Sequence, residues 1–181
     1  MFCAYFCLQY HNFKQRGDPS QTKSCKQQKN RKDKAMKRKP IGMFKNKTQM
    51  YSYLAMLKRV AIVDSKYSEA EQGFIIGVLN AFKAYYPNED VQKLLDIKKW
   101  DKIGNIAKVF GENTRIAREV LRNCIVISHV DGEYSKNEKS LVVEYAKMLG
   151  IDVSVVKSIE LLVKKQFKAN VELQKIIDGG K

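Results

Sequence analysis

From residue 48 onward the chain alternates apolar runs at helical spacing with short polar breaks. Tyr53-Leu54-Ala55-Met56-Leu57 and Val60-Ala61-Ile62-Val63 are separated only by Lys58 and Arg59, with no Gly or Pro. This predicts a helix over 48–63 that is buried on most of its faces. Phe74, Ile75, Val78, Leu79, Phe82 and Tyr85 form one helical stripe that Pro87 stops. Asn88 can cap a short helix carrying Val91, Leu94 and Leu95, and Trp100, Ile103, Ile106, Ala107 and Phe110 make a further stripe ended by Gly111. A second helix apolar nearly all round runs over 113–130 through Ile116, Ala117, Val120, Leu121, Cys124, Ile125, Val126 and Ile127. Leu141, Val142, Tyr145, Met148 and Leu149 lead to Gly150, and Asp152 or Ser154 caps a last helix with Val155, Val156, Ile159, Leu162 and Val163. No alternating run sits between turn residues, so no strand is expected. The pattern predicts an all-α fold, a single bundle of about seven helices over 48–168.

A nine-residue phrase occurs twice. Val63-Asp64-Ser65-Lys66-Tyr67-Ser68-Glu69-Ala70-Glu71 returns 67 residues later as Val130-Asp131-Gly132-Glu133-Tyr134-Ser135-Lys136-Asn137-Glu138. Each copy follows an apolar helix and precedes an amphipathic one, so each reads as the loop of a helix-loop-helix unit. Two such units pack most economically about a pseudo-twofold axis, with the all-round apolar helices at the centre and both loops at one end of the bundle.

Charge is distributed unevenly. Residues 1–49 hold thirteen Lys and Arg against Asp18 and Asp33, which accounts for +11 of the net +15. The stretch 14–39 is rich in Gln, Ser, Asn and Lys and lacks either period, so residues 1–47 are expected to be a basic, disordered tail. Contact of that tail with nucleic acid or an anionic surface is the weak partner expectation it raises. A second tail is expected over 169–181. Met1 to Leu8 is apolar but lacks the charge and cleavage site of a signal peptide, and no run is long enough to span a bilayer. The expectation is a cytoplasmic protein that is not an integral membrane protein. Cys3, Cys7 and Cys25 fall in the tail and Cys124 stands alone in the folded part, which gives no disulfide framework and no zinc spacing.

Candidate chemistry lies in the repeated phrase. Ser68-x-x-Glu71 and Ser135-x-x-Glu138 are capping boxes, which gives these Ser and Glu residues a structural reason to exist. Asp64 and Asp131 are explained less fully, because a carboxylate at a helix C-terminus meets the negative end of the dipole. If the loops converge, Asp64, Glu71, Asp131 and Glu138 crowd negative charge; two carboxylates about 8 Å apart at an effective dielectric near 20 repel by roughly 2 kcal/mol. Such a cluster calls for a hard divalent cation, Ca²⁺ or Mg²⁺, with these four residues as metal ligands. The EF-hand pattern does not fit: from Asp131, Lys136 stands where Gly is required and Val142 where Glu is required. Any cation site must therefore lie between the loops.

The phrase Asp131-Gly132-Glu133-Tyr134-Ser135-Lys136-Asn137-Glu138, its helix ending in Met148-Leu149-Gly150 and the diverged copy upstream resemble the tellurite-resistance TerB family. They are also similar to the related N-terminal domain of the DnaJ-like co-chaperone DjlA. The resemblance implies a helical bundle with internal twofold symmetry, an acidic divalent-metal-binding face, and a bacterial or phage stress-response role without catalytic activity. Asp64 and Asp131 match the family's loop aspartates, and Glu71 and Glu138 its capping glutamates. The first copy departs from the pattern, with Ser65 in place of Gly and Lys66 beside the proposed site.

An alternative on the same fold is a metal-independent module that holds a basic protein partner on its acidic face. No His-Pro-Asp signature, phosphate loop or catalytic constellation is present, and no small-molecule substrate is expected. His129 and Cys124 read as packed helix residues rather than base and nucleophile.

Overall fold

The structure is a computed structural model that describes residues 44–65, 67–85 and 105–179. Among the described residues there are six helices and no strand: α1 (Lys47–Ile62), α2 (Glu69–Tyr85), α3 (Ile106–Phe110), α4 (Arg115–Ile127), α5 (Lys136–Met148) and α6 (Val153–Ile177). The all-α bundle expected from the sequence is what forms. The short helix expected after Asn88 and the start of the Trp100 stripe lie outside the described residues, as do residues 1–43 of the basic tail and Lys66; the end of the 1–47 stretch expected as tail belongs to the bundle, with Phe44 buried against Tyr53 and Asn46 capping α1.

The two helices apolar on nearly all sides form the centre. α1 packs on α4 and also meets α2, α3 and α5, while α4 is covered by α5 and α6. Between them the two helices bury Met56, Leu57, Val60, Val120, Leu121, Cys124 and Ile127 without solvent exposure. Burying such side chains contributes about 1.5–3 kcal/mol each, which is why these two helices set the positions of the others. The flanking helices bury one stripe apiece: Ile75, Val78, Leu79 and Phe82 on α2, and Val142, Tyr145, Ala146 and Leu149 at the end of α5.

Local signals fix the helix ends. Asn46, Asn105, Thr114 and Ser135 cap α1, α3, α4 and α5 through side-chain oxygens. Asp152, rather than Ser154, caps α6 by accepting from Ser154 N–H. At the end of α5, Ile151 N–H donates to Ala146 O at 2.8 Å and Gly150 N–H to Lys147 O at 3.1 Å, a Schellman motif in which Gly150 takes φ +63° and Ile151 is buried. Buried Gln49 joins α1 to α3, with its Nε2 donating to Val109 O at 2.8 Å. α6 continues as helix to Ile177, through most of the 169–181 stretch expected as a tail; past Val163 its large apolar side chains are mainly exposed.

As far as Ser65 and Gly132 the two loops take the same backbone course. Val63 N–H donates to Val60 O and Ser65 N–H to Ile62 O; Val130 N–H donates to Ile127 O and Gly132 N–H to His129 O, each partner 67 residues further on. Both turns end in a left-handed residue, Ser65 at φ +63° and Gly132 at φ +89°. A side chain in that region costs on the order of 1–2 kcal/mol, so the first loop is strained where the second is not. Ser65→Gly is expected to raise stability by up to about 1 kcal/mol, and Gly132→Ala, whose Cβ would meet no atom, to lower it by about as much through backbone strain alone. Chemical denaturation of the two variants checks both signs.

Candidate functional site

The loops bring α1, α2, α4 and α5 to one place through two matching caps. Ser68 N–H donates to Glu71 Oε2 at 2.8 Å and Glu71 N–H to Ser68 Oγ at 3.2 Å. Ser135 and Glu138 make the same pair of bonds at 2.8 and 3.2 Å. In the first cap Ser68 Oγ also donates to Glu71 Oε2 at 2.9 Å. Each box closes two donors that a helix start leaves open.

The capping glutamates are nonetheless buried, with only 3% of Glu71 and 4% of Glu138 exposed. Burial pushes the Glu71 carboxyl above its ordinary range; the Ser68 bonds hold it down, and the charges of Asp131 and Glu138 push it further up. Burial likewise raises Glu138, against the Ser135 and Ser128 hydrogen bonds, and the charge of Asp64 adds to the rise. The loops therefore act on one another crosswise: each loop's aspartate acts on the other loop's glutamate, and Glu138 also acts on Glu71. The two loops are thus within electrostatic reach of each other.

The roles divide differently from the sequence expectation. Asp131 is exposed, and its Oδ1 accepts Glu133 N–H at 3.0 Å, so it closes its own turn and has a structural reason of its own. Asp64 is half-buried at the end of α1. The residues under electrostatic load are Glu71 and Glu138, for which the cap alone had seemed a sufficient account. No local signal could have marked them, because the load comes from burial and from the opposite loop.

All four groups are hard oxygen donors, and their charge excess suits a divalent cation. Among the described residues, however, no three His, Cys, Asp or Glu side chains form a ready-made metal cage. The arrangement is an open acidic face. The remaining titratable groups nearby read as structural: Cys124 is fully buried with its thiol pushed far up by desolvation, and His129 Nδ1 lies 2.9 Å from Ile125 O, to which it must donate.

A family profile described as "Tellurite resistance protein TerB" matches residues 50–161. That span holds α1 from Met50, both loops and α6 to Leu161, and it includes all four acidic residues. No match was found among curated proteins or among solved structures.

The raised carboxyls give a pH dependence with a definite sign. A carboxyl whose folded value lies above its unfolded value takes up a proton on folding, so stability is lost as pH rises from the ordinary carboxyl range through the raised one. In EDTA, Glu71 and Glu138 are expected to make the protein less stable at pH 7.5 than just above the ordinary range. The double substitution Glu71→Gln, Glu138→Gln keeps the capping geometry, since Gln also serves in the box. It is expected to raise stability at pH 7.5 by on the order of 1–2 kcal/mol and to flatten the profile. Thermal unfolding across pH checks this.

Proposed function

The chain belongs to the TerB family of tellurite resistance proteins, and on that premise we propose that it is a non-enzymatic, cytoplasmic stress-response module of bacterial type whose acidic face takes up a divalent cation, Ca²⁺ or Mg²⁺. Asp64, Glu71, Asp131 and Glu138 would hold the ion between the two loops. The observation that carries this reading is the crossed electrostatic load on two buried glutamates, which a cation would relieve. When bound, the ion supplies positive charge and no redox chemistry. The protein's own part is to hold the carboxylates against their mutual repulsion through the two caps, so the loops are arranged before the ion arrives.

Among the described residues no helix is long and apolar enough to cross a membrane. The open arrangement of the carboxylates favours a second reading, in which a basic segment of a protein partner supplies the positive charge instead. The two readings separate cleanly. Under the first, an ion at a hundred times its Kd raises unfolding stability by about 2.7 kcal/mol. The gain is expected with Ca²⁺ or Mg²⁺, is reversed by EDTA, and is absent in the Glu71→Gln, Glu138→Gln protein. An unfolding midpoint that neither ion moves would overturn the cation reading and leave the partner reading standing.

A further inference from the structure

Between the second loop and α6 lies a cleft of about 500 Å³, lined by His129, Gly132, Tyr134, Lys139, Lys157, Glu160, Leu161 and Lys164. One wall is a single face of α6, since Lys157, Glu160, Leu161 and Lys164 stand at i, i+3, i+4 and i+7. The other wall carries the His129 and Tyr134 rings, whose centroids are 4.6 Å apart, and Lys139 Nζ lies 6.0 Å from the centre of the Tyr134 ring; His129 also packs against Phe167 of α6, at 6.0 Å. Tyr134 hydroxyl donates to Glu160 Oε1 at 2.8 Å, which ties the loop to α6 and engages the cleft's one carboxylate.

We propose that this cleft is an anion site for a phosphate-bearing small molecule, held by Lys139, Lys157 and Lys164 from two helices. Three lysines surround it, and none forms an ion pair with a carboxylate of the described residues. Three ammonium groups against the single carboxylate of Glu160 leave the concavity with an excess of positive charge that attracts an anion, and lysine serves phosphate as a point charge. The volume is that of a small-ligand pocket rather than a protein interface.

The internal repeat supplies an independent argument. At the offset of 67 residues the two phrases keep Val, Asp, Tyr, Ser and Glu, among them the cleft's Tyr134, which corresponds to Tyr67. Other cleft positions part: His129 corresponds to Ile62, Gly132 to Ser65 and Lys139 to Gln72. The cleft is thus a property of the second half, beyond what the shared helix-loop-helix geometry requires. It does not rest on the cation reading, because it uses none of the four acidic residues.

The test is an NMR titration of the full chain in EDTA at about 50 mM salt, where charge attraction is only partly screened, with pyrophosphate and, separately, ADP. The His129 ring and the Gly132 amide are expected to shift and saturate. Lys157→Ala with Lys164→Ala should weaken binding at least tenfold, while the equal charge change Lys108→Ala with Lys175→Ala should leave it within twofold. Tighter binding of ADP than of pyrophosphate would assign the site to nucleotides, and equal binding would assign it to the phosphate group alone. Absence of saturable shifts at His129 and Gly132 with either anion, or equal weakening by the two double substitutions, would overturn the proposal.

Discussion

Everything at the loop end of this bundle depends on burying two carboxylates at the starts of two helices. Glu71 and Glu138 are placed there by the apolar stripes of α2 and α5, which must reach the α1 and α4 core, and they survive there because each accepts the N–H of its own capping serine. A carboxylate without such a donor would cost several kcal/mol or take up a proton. The caps thus settle where α2 and α5 begin and how the chain leaves α1 and α4. They also bring two charges of one sign close to each other and to the opposite aspartates. Stability of the turns and excess of charge between them come from the same residues.

The fold was largely legible from the chain because its signals are local. The apolar runs of α1 and α4, the Ser-x-x-Glu boxes, Gly132 and Gly150 each act within one helical turn, and α1, α2 and α5 begin within one residue of where those signals place them, whereas α4 stops at Ile127 rather than 130 and α6 runs past 168 to Ile177. What the sequence could not show is what depends on distant neighbours. The crossing of Asp64 onto Glu138 and of Asp131 onto Glu71 needs both loops at once. The division that made the glutamates structural and the aspartates functional was drawn from one loop at a time, and the structure redraws it: Asp131 closes a turn, and the glutamates bear the load. The basic cleft was missed for the same reason, since α6 meets the second loop through Tyr134 and Glu160, 26 residues apart. Its only sequence trace is the Lys157 to Lys164 face, which reads as an ordinary solvated surface.

The second loop consequently stands between two charge environments. On the side of its cap lies the acidic face shared with the first loop, and on the side of α6 lie three lysines and an aromatic wall. Gly132 lines the cleft at one residue's remove from Asp131, so an ion on one side and an anion on the other would meet the same short segment of backbone. Coupling between two such sites is reciprocal by thermodynamic necessity.

The account turns on the two loops acting as a single electrostatic unit, and the titration of Glu71 tests that most directly. Followed by ¹³C NMR at its side-chain carboxyl, Glu71 is predicted to titrate above the ordinary carboxyl range in the wild-type chain, and to move down when Asp131, on the other loop, is replaced by Asn. A Glu71 titration that is unchanged by Asp131→Asn would contradict the account, because the loops would then be two independent caps.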